Sequence, residues 1–233
     1  MLVKPYIKKY GEFSGLVAWI VDGNYIRNNL EINFTNFGQY PQFKFIPKNE
    51  IWIDKERSPG EEKFFIDYML ALHRLISRGI KKKEAVELAE KIEKKERAKK
   101  ELIKKEFGLS KDYPQLIKKI HKKKIISYSK KIKVWVVNGE IVRSFLFIDF
   151  TEGGHDKVYS FIPKGEIWID DDLSLKERKF VLLHEIHERN LMAKGMEYES
   201  AHNDSSKIEL YCRTHPKETD KKISAEIKKL KSN

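Results

Sequence analysis

The stretch FIPKNEIWID at residues 45–54 returns almost unchanged as FIPKGEIWID at residues 161–170. At the same offset of 116 residues, 19–97 matches 135–213 without a gap and with 29 identities in 79 positions. A match at a fixed offset over this length is typical of an internal repeat. The sequence therefore predicts one fold that occurs twice in the chain.

Each copy contains four short apolar runs that predict β-strands. In the first copy they are VAWIV, LEINF, QFKFI and EIWID, and the second copy repeats the pattern. Asp22-Gly23 and Asn138-Gly139 follow the first run of each copy and are typical of hairpin turns. These signals predict a small antiparallel sheet in each copy.

Two helices follow the strands in each copy. Apolar residues recur at helical spacing over 61–78 and 175–194, and both stretches end at a glycine. A second helix is predicted over 82–97 and 198–213. We therefore predict an α+β fold, a tandem duplication in which a small antiparallel sheet is followed by two helices.

Charge divides the chain into three predicted parts. Residues 99–133 hold 13 lysines against three acidic residues, which accounts for most of the net charge of +12. We predict a degenerate repeat at 1–98, a basic helical connector at 99–133, and a repeat with a helical tail at 134–233. The connector could contact nucleic-acid phosphates weakly and without sequence preference.

Composition limits the class of protein. Charged residues reach 35%, rich in lysine and glutamate, a bias that indicates a thermophilic source. The single cysteine, Cys212, excludes a disulfide framework and a CxxC zinc site. The sequence shows no signal-peptide pattern and no apolar run of membrane-spanning length. We expect a soluble, cytoplasmic protein with no membrane association.

Histidines and glutamates concentrate in the helices of the second copy. In HEIHER (184–189), His184 and Glu188 are four residues apart and share a helix face. His202 on the next helix can supply a third ligand, the number that a catalytic zinc site needs. We predict Zn²⁺, or another divalent metal ion, bound by these three residues. Glu185 directly follows His184, as the base does in H-E-x-x-H zinc motifs, and is the predicted catalytic residue.

Three further residues have open assignments. His187 lies three residues after His184 and is an alternative to Glu188 as the second ligand. Glu209 lies seven residues after His202 and is either a fourth ligand or a hydrogen-bond acceptor behind the ligands. His155, in the EGGHD loop, is a turn residue or a substrate contact.

The first copy lacks all these polar side chains. The residues at the positions of His184, Glu185, His187, Glu188 and His202 are Tyr68, Met69, Ala71, Leu72 and Val86. The surrounding apolar positions stay apolar in both copies. Such a concerted replacement favours a buried polar site that exists in one copy only.

Over 161–213 the sequence resembles the zincin metallopeptidases, in particular their small gluzincin-type members. The resemblance rests on the strand EIWID, the helix with HExx and a ligand, and a second helix with a further ligand. It implies that the strand is a sheet edge that pairs with substrate, that His184 is a ligand and that Glu185 is the base. Glu188 replaces the family's second histidine and His202 its usual glutamate, so the motif becomes HExxE…H. The segment is also similar to an uncharacterised family of small phage and prokaryotic proteins.

The favoured hypothesis is a metal-dependent hydrolase with zincin-like peptidase chemistry and a peptide or protein substrate. Two alternatives come from other classes of protein. One is a nucleic-acid-binding protein whose metal is structural, and the other is a metal-free interaction module.

Overall fold

The computed structural model describes residues 4–56, 60–100, 103, 112–127 and 132–231. The chain forms two compact units, Met1–Leu116 with Glu140–Asp149, and Ile117–Gly139 with Phe150–Asn233. This division differs from the predicted three parts. A short segment of the second repeat belongs to the first unit, and part of the predicted connector belongs to the second.

The first unit contains a four-stranded sheet and two long helices. Its strands have the spatial order β1-β2-β4-β3, and its helices are α1, α2 and α3. The bounds are β1 Tyr6–Phe13, β2 Leu16–Val21, α1 Gly23–Asn29, β3 Phe37–Gln39, β4 Glu50–Asp54, α2 Glu62–Ser77 and α3 Lys82–Arg97.

The second unit repeats this arrangement with the spatial order β5-β6-β8-β7. Helix α4 runs across the boundary between the units, and α5 begins at the last residue of a second-unit segment. The bounds are α4 Tyr113–Ile120, β5 His121–Ser127, β6 Lys133–Val137, α5 Gly139–Phe145, β7 Gly153–His155, β8 Glu166–Asp170, α6 Leu175–Ala193, α7 Tyr198–Thr214 and α8 Thr219–Lys231, with a 3-10 turn at Pro216–Glu218 before α8.

The predicted α+β class and the paired helices of each copy are confirmed, but each sheet is mixed. Strand β2 runs parallel to β4, and β6 runs parallel to β8. The predicted hairpin turns are wrong, because a helix begins at each of them. Asp22 caps α1 by accepting a hydrogen bond from the Tyr25 amide at 3.2 Å, and the Gly23 amide donates to Asp54 Oδ1 at 3.2 Å. Helix α1 therefore lies on a crossover connection, and a crossover permits the parallel pairing.

The strand EIWID of the second copy, β8, lies in the middle of its sheet. It pairs with β6 on one side and with β7 on the other, and all five of its residues are buried. The expectation that this strand is a sheet edge is therefore wrong. Its near-continuous apolar sequence is typical of a strand covered on both faces.

Among its described residues, the predicted connector is helical in α4 and at Ile103. Residues 121–127, which we predicted to be helical, form β5 and pair with β6. The His121 ring stacks on Trp135 with centroids 4.0 Å apart, so tertiary contacts override the helix preference of the neighbouring lysines. Residues 101–102, 104–111 and 128–131 lie outside the described residues, and with them five of the 13 lysines of the predicted nucleic-acid contact.

Helix α6 is buried along most of its length, which is unusual for a helix with so many polar residues. Its apolar residues, Phe180 to Leu183 with Ile186, pack against Val134, Ile167 and Ile169 of the sheet. Its other faces contact α7 and α8. Polar side chains on α6 are thus enclosed by neighbouring helices. Within the described ranges, no helix is long and apolar enough to cross a membrane.

Candidate metal centre

The ends of α6 place its polar residues opposite α7. Ser174 caps the helix by accepting a hydrogen bond from the Glu177 amide at 3.3 Å. Just beyond the other end, Gly195 has a φ of +91°, a left-handed conformation that glycine adopts without steric cost. The chain then reverses direction and α7 packs against α6. His202 therefore faces His184 and Glu188.

Three donor atoms converge between the two helices. His184 Nε2 lies 3.1 Å from His202 Nδ1 and 3.3 Å from Glu188 Oε2. His202 Nδ1 lies 2.9 Å from that same carboxylate oxygen. A tetrahedral zinc ion with bonds of about 2.0–2.2 Å holds its ligand atoms about 3.3–3.6 Å apart. The three spacings of 2.9–3.3 Å lie at or slightly below that range, so a small outward shift of the donor atoms would fit the predicted ligand set to one small divalent ion.

The two nitrogens of His184 face different partners, Nδ1 toward Glu209 and Nε2 toward Glu188 and His202. Its Nδ1 lies 2.9 Å from Glu209 Oε2, so the Nδ1–H group donates a hydrogen bond to that carboxylate. The other oxygen of Glu209 accepts from Arg213 Nε at 2.9 Å, and Arg213 also donates to both oxygens of Glu177 at 3.0 and 2.8 Å. Glu209 therefore contacts the His184 nitrogen that faces away from Glu188 and His202, an arrangement that is common for metal-binding histidines.

The charges of the centre are strongly coupled. Burial alone would lower the pKa of His184, but hydrogen bonds to Glu188 and Glu209 raise that pKa to about 10. Burial alone would raise the pKa of Glu188, and contacts with His155, His184 and His202 instead hold it well below its ordinary value. A carboxylate that stays ionised beside two imidazoles is a suitable metal ligand.

Glu185 lies beside this group, next to Gly153 of strand β7. One of its carboxylate oxygens is within 4.8 Å of donor atoms of both Glu188 and His155. Burial raises the pKa of Glu185 to about 8, and the negative charge of Glu188 adds to the increase. A side chain at Gly153 would lie 3.3 Å from Glu185 Cγ and 2.9 Å from Val181 Cγ1, so the missing Cβ makes room for the carboxylate.

One side of the centre faces solvent. The His202 side chain is 32% exposed, whereas that of Glu188 is 4% exposed. The Tyr198 ring lies 5.6 Å from the His202 ring, and burial, followed by the charge of Glu188, raises the pKa of Tyr198 to about 12. This side presents a partly exposed imidazole and a phenol that keeps its proton.

His187 does not join the cluster. Its Nδ1 lies 3.0 Å from Glu226 Oε1 on α8, and its Nε2 lies 3.2 Å from Asp204 Oδ2. Of the two alternatives, Glu188 faces His184 and His202, whereas His187 does not. His187 instead links α6 to the C-terminal helix.

The first copy fills the same space with apolar side chains. Phe37, at the position of Gly153, stacks on Phe65 at 4.5 Å and contacts Tyr68 at 5.6 Å. Met69 and Leu72 are buried in the same core. The first copy therefore has neither the donor atoms nor the space of the centre in the second.

Sequence reasoning did not assign roles to Gly153 and Arg213, and it gave His155 a different one. His155 Nε2 lies 3.0 Å from Glu188 Oε1, and the His155 side chain is fully buried. A comparison of the two copies could have indicated Gly153 and His155, because both positions change, to Phe37 and Gln39, in the copy without the cluster. Arg213 carried no such signal because Arg97 is identical in the first copy.

A further acidic group, Asp170 to Asp172, is held by protein contacts. Asp170 Oδ1 accepts from the Asp172 amide at 3.1 Å, and Asp171 Oδ1 accepts from the Gly139 amide at 3.1 Å. Lys122 pairs with the other oxygen of Asp171. This group has no histidine, and backbone amides and the Lys122 ammonium already contact its carboxylates.

No protein-family model, curated protein or solved structure matches this chain.

Proposed function

We propose that the second copy is a zinc-dependent hydrolase with peptidase chemistry of the zincin kind, acting on peptide or protein substrates. The observation that carries the proposal is the convergence of His184 Nε2, Glu188 Oε2 and His202 Nδ1 to within 2.9–3.3 Å of one another. The same positions of the first copy hold Tyr68, Leu72 and Val86.

Each residue of the centre has a chemical role in this proposal. His184, Glu188 and His202 would hold the ion. A zinc ion bound there supplies Lewis-acid activation of water and of a substrate carbonyl. Glu185 takes a proton from the attacking water and returns it to the leaving group. Its pKa of about 8 lies near neutrality, where a general base can both accept and release a proton.

The exposed side of the centre would admit the substrate. Tyr198 lies there beside His202 and keeps its proton at neutral pH, because its pKa is raised to about 12. A phenol in that position can donate a hydrogen bond to the oxygen on which negative charge develops during hydrolysis.

Metal content is the first test. Protein purified without a metal-affinity tag should contain about one zinc per chain by elemental analysis. The double variant His184→Ala/His202→Ala should lose it. A matched control is His73→Ala/His215→Ala, which removes two exposed histidines and should keep the zinc. A ligand-position double variant with full zinc would refute the ligand set.

Hydrolysis is the second test, with a peptide library as the substrate and mass spectrometry of the products. Glu185→Gln should bind zinc normally and cleave about 10²–10⁴-fold more slowly than the unmodified protein. Glu199→Gln, an exposed control on α7, should cleave at the normal rate. Loss of zinc in Glu185→Gln would make Glu185 a ligand, and full activity would exclude it as the base. No cleavage by the zinc-loaded protein would overturn the peptidase proposal.

A further inference from the structure

His155 approaches the centre from the sheet rather than from the helices. It is the last residue of the three-residue edge strand β7, and its side chain is fully buried. Its Nε2 lies 3.0 Å from Glu188 Oε1, while the opposite oxygen, Oε2, faces His184 and His202. The two oxygens of Glu188 thus have different neighbours.

The hydrogen bonding of the His155 ring determines which nitrogen carries the proton. Its Nδ1 accepts a hydrogen bond from the Lys157 amide at 3.2 Å. A neutral imidazole that accepts at Nδ1 carries its proton on Nε2. The nitrogen that faces Glu188 is therefore a donor, the reverse of His184, whose Nδ1 donates to Glu209 and whose Nε2 is left to bind metal.

His155, Glu185 and Glu188 also form a second three-residue group, with donor atoms within 4.8 Å of one another. By distance alone, these three residues could hold a second metal ion, and Glu188 would then bind both ions. A protonated Nε2 cannot bind a metal ion, because it has no free lone pair. The hydrogen bond from the Lys157 amide to Nδ1 keeps the proton on Nε2, and this disfavours binding of a second ion.

We infer that His155 is a positioning residue for the centre proposed above: it holds Glu188 Oε1, so that Glu188 offers one oxygen to a single ion. This inference rests on the proposed function. The Glu188 oxygen lies too far off the axis of the ring N–H for a normal hydrogen bond, so the 3.0 Å approach is a close electrostatic contact. No other described carboxylate lies within 4.0 Å of that nitrogen. His155 thus orients Glu188, and Glu209 orients His184, each through an atom that does not face the proposed ion.

The first copy indicates which substitution can test this role. Gln39 occupies the position of His155, and its Nε2 donates to the Met69 carbonyl oxygen at 3.0 Å. Position 72 is a leucine there and offers no carboxylate. A glutamine therefore fits this strand, and its amide N–H can replace the Nε2–H of histidine.

The experiment compares His155→Leu and His155→Gln with the unmodified protein, with His215→Gln as an exposed control. Zinc affinity is measured by competition with a chelating dye, and stoichiometry by elemental analysis. The Co²⁺-substituted proteins are compared by visible absorption, which reports coordination number. Thermal unfolding of the metal-free proteins separates effects on folding from effects on the site.

We expect one ion per chain in every variant that binds metal. His155→Leu should bind zinc about 10–100-fold more weakly, because residues behind metal ligands contribute this much. Its Co²⁺ spectrum should change as Glu188 becomes free to bind through both oxygens, and His155→Gln should restore both affinity and spectrum.

Three results would overturn the inference. The first is unchanged affinity in His155→Leu, and the second is two ions in the unmodified protein with one in His155→Leu. The third is failure of His155→Gln to restore a spectrum that His155→Leu has changed. If the unmodified protein binds no zinc, the proposed function itself fails, and the inference fails with it.

Discussion

His184 and Glu209 are joined by a hydrogen bond of 2.9 Å between Nδ1 and Oε2, and both residues are buried. The corresponding residues of the first copy are Tyr68 and Glu93. Burial raises the pKa of Glu93 to about 7 despite its contact with Arg97. In Glu209, burial is outweighed by the bond from His184 and the charge of Arg213, which lower the pKa. The histidine thus keeps this carboxylate ionised.

Removing the charge of Glu209 should therefore weaken metal binding. We expect Glu209→Gln to lower zinc affinity about 10–100-fold, because His184 loses the carboxylate that orients its ring. Competition with a chelating dye measures this change. Glu93→Gln is the matched control in the first copy and should leave the affinity unchanged. Equal affinities in the two variants would show that Glu209 does not support the ligand.

Gly153 and Gly154 point to opposite faces of β7 and make a matched pair of substitutions. An added Cβ at Gly153 would lie 3.1 Å from the Trp168 carbonyl oxygen and 3.3 Å from Glu185 Cγ. Gly153→Ala should cost about 1–3 kcal/mol of stability through overpacking and should slow hydrolysis more than it weakens zinc binding.

Gly154→Ala would crowd the Tyr159 ring on the other face, where an added Cβ would lie 2.5 Å from the ring. It should destabilise the protein and leave the rate per bound zinc unchanged. Denaturant unfolding and the peptide cleavage rate measure both effects. Equal loss of rate in the two variants would contradict a specific displacement of Glu185.

The apolar counterpart of the centre should matter for stability alone. Leu72 is 7% exposed in the core of the first copy. Leu72→Ala should lower the free energy of unfolding by about 2–5 kcal/mol and leave zinc content at its normal value. Leu175→Ala, at a position 79% exposed, is the control and should cost less than about 0.5 kcal/mol. A change in zinc content in Leu72→Ala would contradict the division of roles between the copies.

The contact between α6 and α8 should depend on pH. The hydrogen bond to Glu226 raises the pKa of His187, with burial opposing it. Burial would raise the pKa of Glu226, but contacts with His187, Lys229 and Asn190 lower it to about 2. A histidine whose pKa is raised by folding contributes its full stabilisation below about pH 6.5. This stabilisation is lost as the pH rises through the pKa of the histidine in the folded protein. A lowered glutamate pKa stabilises above about pH 4.5.

His187→Gln should therefore destabilise the metal-free protein most between about pH 4.5 and 6.5, and less at pH 9. Water screens part of the pair, so the maximum effect should be about 1 kcal/mol or less. Thermal unfolding with a chelator present, repeated across this pH range, measures it. His73→Gln, at an exposed position, should show no such maximum. A cost that is equal at all pH values would mean that the ion pair contributes nothing.

The helices and the proximity of His184, Glu188 and His202 followed from the sequence because they depend on local spacing. His184 and Glu188 are four residues apart and share a helix face, and the turn at Gly195 brings His202 opposite them. These relationships could be predicted without knowing how the strands pair. The strands followed less well. Asp22 and Gly23 suit a hairpin and a helix start equally, and the choice depends on the carboxylate of Asp54, 31 residues away from the glycine.

The contacts behind the ligands could not be predicted for a similar reason. His155 meets Glu188 only because β7 pairs with β8 beneath α6. Glu209 was predicted as either a ligand or an acceptor, and the direction of its side chain is set by Arg213. Both relationships depend on tertiary packing.

The buried arginine of α7 and its counterpart in α3 have the same surroundings. Arg213 lies 4.8 Å above the Phe180 ring and binds Glu177 and Glu209. Arg97 lies 4.8 Å above Phe64 and binds Glu61 and Glu93. These contacts occur in the copy that has the His/Glu cluster and in the copy that lacks it, so a copy could gain or lose the cluster without losing its fold. The first copy is then a ready recipient, in which six exchanges, Phe37→Gly, Gln39→His, Tyr68→His, Met69→Glu, Leu72→Glu and Val86→His, would transplant the whole constellation.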